Sequence, residues 1–159
     1  MVFLYLVHLC PTWNQILPMH KIVISDTSCL ILFHKIGELD LLRKVYDAVS
    51  TTPEVAREFL EELPDWIKIE SVKDKKYQEF LETQVDLREA SAIALAKEME
   101  YPLLLLDDLK ARKLAFKLNL KYTGTLGVIH RAKQMGVLEK VRPSLKSCKR
   151  QILGFQKTY

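Results

Sequence analysis

The sequence predicts an α/β protein, a three-layer α/β/α sandwich with a mainly parallel central sheet. Three observations predict it. Short apolar runs, Ile22-Val23-Ile24 and Leu103-Leu104-Leu105-Leu106, read as strands buried on both faces. Helical segments alternate with such runs, and that alternation builds parallel sheets through crossover connections. Acidic residues end the runs, as Asp26 and as Asp107–Asp108. Open parallel sheets bind their ligands at the carboxyl ends of strands.

The elements follow in order. Lys21–Ser25 is a β-branched strand, and Asp26-Thr27-Ser28 offers N-cap chemistry for an apolar helix reaching Ile36. Leu39, Leu41, Leu42, Val45 and Tyr46 mark a second helix, and Ala48–Thr51 a short strand. Thr52-Pro53 opens a helix expected to run to Leu63, with proline in its first turn. Trp66–Val72 reads as an edge strand and Lys73–Gln84 as an exposed polar helix. Asp86–Met99 is an alanine-rich helix whose first four residues, Asp86-Leu87-Arg88-Glu89, match a capping box. Leu103–Leu106 is the second apolar strand, and Leu109–Leu118 a helix carrying Lys110, Arg112, Lys113 and Lys117. Lys121–Thr123 is a short strand, followed by the turn Gly124-Thr125 and the helix Leu126–Met135, with Gly136 as its C-terminal glycine. A last helix is expected over about Ser144–Ile152.

The 159 residues suit one domain, and 48% apolar content supports a sizeable core. We expect an N-terminal extension over 1–20, a single domain over 21–152 and a basic, aromatic tail over 153–159. The apolar run Val2–Val7 is too short to cross a bilayer and lacks a preceding Lys or Arg. Met19, just before His20-Lys21 and the first strand, suggests the natural start; otherwise the segment is a loosely docked arm or a weak membrane-surface contact. Net charge of +4 is compatible with a nucleic-acid ligand. Cys10, Cys29 and Cys148 have no disulfide or CxxC spacing, which points to a reducing, cytoplasmic setting. The four histidines lack zinc spacing. No membrane partner is expected.

The acidic positions carry the chemistry, and each has a plainer role beside it. Asp26 reads as an N-cap or as a ligand at the end of the first strand, with Ser28 steadying it. Glu58 borders the apolar stripe of its helix, where Glu61 and Glu62 compete with it. Glu89 reads as the capping-box partner of Asp86 or as an acid over the top of the sheet. Of Asp107 and Asp108, one caps the following helix and the other is solvated, or one carboxylate sits on a metal with the other beside it. Asp108 has the better phase for the cap. Carboxylates gathered without basic partners repel one another, and a hard divalent cation relieves that repulsion. Thr125 reads as a cap, and the helix N-terminus it opens suits a phosphate oxygen. Lys110, Arg112 and Lys113 are a solvated face or backbone contacts.

Five motifs stand in order: Ile24-Ser25-Asp26-Thr27-Ser28; Pro53-Glu54-Val55 with Glu58; Glu89-Ala90-Ser91-Ala92-Ile93-Ala94-Leu95-Ala96; Leu105-Leu106-Asp107-Asp108 with Ala111-Arg112; and Gly124-Thr125-Leu126-Gly127. Together the chain resembles the PIN-domain ribonucleases, in a prokaryotic branch similar to the toxins of type II toxin–antitoxin pairs. The resemblance covers the chain from about Lys21 to the last helix. It implies a PIN-like fold, dependence on Mg²⁺ or Mn²⁺, and RNA cleavage. It maps the catalytic acids to Asp26, Glu58, Glu89 and Asp108. The metal set is Asp26, Glu89 and Asp108, with Asp107 as alternative or helper. Ser28, Lys110, Arg112 and Thr125 are the candidates for substrate contact. A homodimer and an antitoxin partner are implied as well. One departure is Arg88, which stands where a glycine commonly precedes the third acid. A receiver-like Mg²⁺-binding domain and a non-catalytic interaction module are the rival readings. The receiver expects its acid pair after the first strand, whereas here the pair comes late.

Overall fold

The computed structural model describes residues 22–59 and 61–138. Their elements are β1 (Ile22–Ser25), α1 (Thr27–Lys35), α2 (Leu41–Val45), β2 (Ala48–Thr51), α3 (Pro53–Glu58) and β3 (Ile67–Ile69). Then come α4 (Lys75–Glu82), α5 (Leu87–Glu98), β4 (Leu103–Leu105), α6 (Leu109–Lys117), β5 (Lys121–Thr123) and α7 (Thr125–Gln134). The five strands form one sheet in the order β3-β2-β1-β4-β5, and every pairing is parallel. The expected sandwich with its parallel sheet is the fold observed.

Strand side chains alternate between two cores because successive Cβ atoms point to opposite faces. Val23, Val49, Leu103 and Leu105 face a core completed by Leu30 and Phe33 of α1, Leu42 of α2 and Val128 and Ile129 of α7. Ile24, Leu104 and Leu106 face the other, with Ile93 of α5, Leu81 of α4 and Leu114 of α6. Leu104 is fully buried between strands and helices. Truncation of such a residue to alanine costs about 2–5 kcal/mol.

The sheet order positions the site. From β1 the chain moves outward through β2 to the edge strand β3, then returns to place β4 on the other side of β1. The two halves part between β1 and β4, and this switch point opens a crevice at the strands' carboxyl ends. Ser25 lies beside Leu105 in register, and the Asp26 amide donates to the Leu105 carbonyl at 3.2 Å. The residues leaving both strands therefore start side by side.

Several elements are shorter than the pattern predicts. α3 ends at Glu58 rather than near Leu63. Phe59 and Ile67 both anchor the same core, so the chain must leave the helix axis between them to reach β3. The helix expected over 126–135 begins one residue earlier, with Gly124 as N-cap and Thr125 inside the first turn. Its end is as expected. Gly136, at φ +72°, donates to the Lys133 carbonyl and the Val137 amide to that of Ala132. That is the Schellman pattern, in which the left-handed position favours glycine. The helix expected over 144–152 lies outside the described residues, as do the N-terminal extension and the C-terminal tail.

Candidate active site

Asp26 ends β1 and caps α1. Its Oδ1 accepts the Cys29 amide at 2.9 Å, the usual reach of an N-cap carboxylate to the third helical residue. The side chain is only 2% exposed. Its other oxygen, Oδ2, is buried with no hydrogen bond. Burial raises the pKa to about 6; the Cys29 amide opposes the rise and the Asp107 charge adds to it. A buried carboxylate with an uncommitted oxygen costs free energy unless a donor or cation meets it. The donor that steadies Asp26 is the Cys29 amide, and the Ser28 expected for this role is exposed.

Asp107 and Asp108 divide their work. Asp108 is the N-cap of α6, with Oδ1 accepting from the amides of Lys110 at 2.7 Å and Ala111 at 2.9 Å. Asp107 turns instead toward α7. Its Oδ1 accepts the Thr125 amide at 3.0 Å and Arg112 Nη2 at 3.2 Å, and its Oδ2 accepts the Thr125 hydroxyl at 2.5 Å. The Cys29 thiol donates to the same Oδ2 at 3.3 Å. That thiol stays protonated, because burial, followed by the charges of Asp26 and Asp107, raises its pKa well above the usual range. Arg112 also donates from Nε to the Leu106 carbonyl at 2.6 Å, so its guanidinium is pinned. Gly124 makes this possible: a Cβ there would collide with the Arg112 guanidinium and the Asp107 carboxylate. Thr125 is thus no cap; it is the partner of Asp107.

Glu89 closes the capping box read from the sequence. Its Oε2 accepts the Asp86 amide at 3.2 Å, while Asp86 Oδ1 accepts the Glu89 amide at 3.1 Å. Burial raises the Glu89 pKa to about 7, and the negative charges of Asp86, Asp108 and Asp26 contribute. Those couplings make Glu89, Asp108 and Asp26 electrostatic neighbours, although they come from three elements.

Glu58, at the end of α3, pairs with Arg88 of α5. Arg88 holds Asp86 as well, Nη2 to Oδ2 at 2.7 Å. The packing behind this contact is specific. The hydroxyls of Thr52 and Ser91 lie 2.7 Å apart, and Ser91 donates to the Arg88 carbonyl at 2.8 Å. These bonds clamp the start of α3 against α5. Glu58 keeps one oxygen, Oε2, buried and without a hydrogen bond. Arg88, which departs from the glycine of the family pattern, is the counter-ion of Glu58.

Among the described residues no three His, Cys, Asp or Glu side chains are gathered closely enough to hold a metal ion as they stand. The reason is visible in the partners. Glu89 is turned to its own N-cap, Asp108 to α6, Asp107 to Thr125, and Glu58 to Arg88. The donor set still suits a hard divalent cation, being carboxylate oxygen throughout. Two of those oxygens, on Asp26 and Glu58, are buried and unpartnered, and two of the carboxyls have raised pKa values. Lys110 and Lys113 lie exposed on α6, the helix that Asp108 caps, whereas Arg112 is engaged with Asp107. Sequence reasoning missed Cys29 as a donor to Asp107 and gave Thr125 the wrong bond. An N-cap at Asp26 by itself predicts the Cys29 amide contact; no spacing predicts the contact to Asp107.

The model of a protein family described as a PIN domain matches residues 22–155, most of the chain. The curated proteins yield no match.

Proposed function

Because this chain belongs to the PIN-domain family, which consists generally of metal-dependent nucleases, we propose that it is a Mg²⁺- or Mn²⁺-dependent endoribonuclease hydrolysing phosphodiester bonds in RNA. The observation that carries this reading is the Asp26 carboxylate, buried at the sheet's switch point with one oxygen uncommitted. Asp107 and Glu89 are its electrostatic neighbours, and Asp108 is in turn a neighbour of Glu89.

Asp26, Glu89 and Asp108 would hold the cation, with Asp107 beside them and Glu58 joining on release from Arg88. A bound divalent ion supplies positive charge at the carboxylates and lowers the pKa of the attacking water. The protein's own part is positioning. The Cys29 amide fixes the Asp26 carboxylate, and Thr125 with Arg112 fixes that of Asp107. The Lys110 and Lys113 ammonium groups are free to meet the phosphate backbone, so binding should weaken with salt. Substrate contact by Ser28 is compatible with its exposure at the start of α1.

The test is cleavage of a generic RNA by the wild type and by Asp26→Asn with Mg²⁺, with Mn²⁺ and with EDTA. We expect metal-dependent cleavage by the wild type and at least about a 100-fold loss in the variant. Equal rates in the two proteins would sink the assignment. RNA binding with no cleavage under any metal would favour the interaction-module reading. The receiver-like reading loses its support, since the acid pair follows β4 and the family match is to PIN domains.

We further propose that the chain acts in the cytoplasm as a homodimeric toxin restrained by an antitoxin protein. The order of its motifs supports that branch. No helix among the described residues is long and apolar enough to cross a membrane. Expression of the wild type should arrest growth of its host where Asp26→Asn does not, and equal growth of both would reject the toxin role.

A further inference from the structure

Beside the carboxylates lies a pocket of about 530 Å³ at the carboxyl ends of β4 and β5. Its size falls in the range of small-ligand sites, about 300–1,000 Å³. One wall is shared with the site above, through Asp107 and Arg112. Another is the edge strand β5 and the first turn of α7, with Tyr122, Thr123 and Leu126. Tyr122 is 37% exposed and Leu126 56% exposed, so apolar surface is open to an incoming group.

Two features of the lining choose the occupant. Arg112 and Asp107 neutralise one another at 3.2 Å, so the wall presents hydrogen-bonding groups without a strong net charge. A phosphate gains little there, while a flat, uncharged polar ring matches the mixture of aromatic face and polar edge. The Thr123 hydroxyl also carries no hydrogen bond to a described residue, whereas its carbonyl accepts the Leu106 amide. This hydroxyl packs against Gly127, where a Cβ would collide with it. Gly124 likewise lets the Arg112–Asp107 pair lie close against the backbone at the pocket's wall.

We propose that this pocket binds a nucleobase of the single-stranded substrate, next to the phosphate being cleaved. Tyr122 supplies the stacking surface, and Thr123 and Arg112 meet the base edge. The inference rests on the ribonuclease reading for the identity of the strand, and on the shared Asp107 wall for its place beside the scissile bond. The site then reads base identity or presence at one position, a selectivity that the carboxylates themselves do not provide.

The test uses full-length Asp26→Asn protein in EDTA and a fluorescently labelled single-stranded RNA of about ten nucleotides, within the usual site size. Single abasic riboses are introduced along it in turn. Stacking of one base on an aromatic ring is worth about tenfold or more in affinity. We expect one abasic position to weaken binding about tenfold. Tyr122→Ala should weaken binding of the intact strand equally and be insensitive to that same abasic position. Tyr122→Phe should bind as the parent does, which separates stacking from loss of fold. Phe80→Ala, an exposed aromatic on α4 outside the pocket, should change nothing. The proposal is overturned if no abasic position matters, or if the Tyr122→Ala and abasic losses simply multiply. Metal-dependent cleavage by the wild type without any abasic dependence would reject the pocket and leave the ribonuclease. The non-multiplying loss in a chain that never cleaves RNA would do the reverse.

Discussion

The Thr125 hydroxyl donates to Asp107 Oδ2 across 2.5 Å, joining the first turn of α7 to the residue that leaves β4. Hydrogen bonds to a charged acceptor contribute about 1.5–3 kcal/mol each. Thr125→Val should therefore lower stability by about that amount. Thr125→Ser should recover most of it. Denaturant unfolding of the three proteins decides, and equal midpoints would mean the contact is not maintained in solution.

Asp26 is an expensive residue for the metal-free fold. Asparagine caps a helix as well as aspartate does. Asp26→Asn keeps the Cys29 contact and removes a buried charge. At pH 8 in EDTA its melting temperature should equal or exceed that of the wild type, even though cleavage is lost. A large drop in melting temperature would show that the carboxylate is needed for folding instead.

The pH dependence follows from the same burial. The folded Asp26 binds its proton up to a pKa of about 6, against an ordinary value of 3.8. Between those values the native state holds more protons than the unfolded chain, so stability falls as pH rises. At about 1.4 kcal/mol per pH unit, Asp26 removes on the order of 3 kcal/mol across that window. Glu89 acts in the same direction between 4.5 and about 7, by less because it is only half-buried. In EDTA the melting temperature should decline from about pH 4 to about pH 7. Added Mg²⁺ or Mn²⁺ should raise it more at pH 8 than at pH 5, since the cation binds the ionised carboxylates. A metal-induced shift that is equal at both pH values would contradict this.

Arg88 competes for Glu58. The pair is about one-third exposed on each side, at 37% and 36%, so the bond contributes no more than about 1 kcal/mol. Arg88→Gly should cost little beyond the helix propensity of glycine, about 1 kcal/mol. It should also lower the Mg²⁺ concentration required for half-maximal cleavage, by releasing Glu58. A higher requirement would mean that Arg88 orients Glu58 for its role rather than withholding it.

Gly124→Ala places a methyl group against the Arg112 guanidinium and the Asp107 carboxylate. Both are pinned by hydrogen bonds, so neither yields freely. Overpacking of this kind costs about 1–3 kcal/mol. Chemical denaturation measures it. Gly37→Ala is the contrast: a Cβ there meets nothing, and any loss comes from its positive φ alone.

The fold and the local part of the site were legible because they rest on interactions close along the chain. Apolar runs, helix periodicity and the order of elements point to a parallel sheet between helices. Caps at Asp26, Asp86 and Asp108 are bonds to amides two or three residues ahead, which is why the residues around them reveal them. The acidic ends of β1 and β4 follow from where apolar runs stop.

Only the tertiary structure decided the partners across the fold. Cys29 to Asp107, Glu58 to Arg88 and Asp107 to Thr125 span 78, 30 and 18 residues. Such contacts depend on how β1, β4, α3, α5 and α7 are brought together, and no spacing encodes that. The sequence by itself determined which residues could be ionised ligands. Packing determined which oxygens were taken by neighbours and which, on Asp26 and Glu58, were left buried and unpartnered. The physical reason is one of range: capping and periodicity act within a helical turn, whereas burial and ion pairing are set by segments that meet only when the sheet closes.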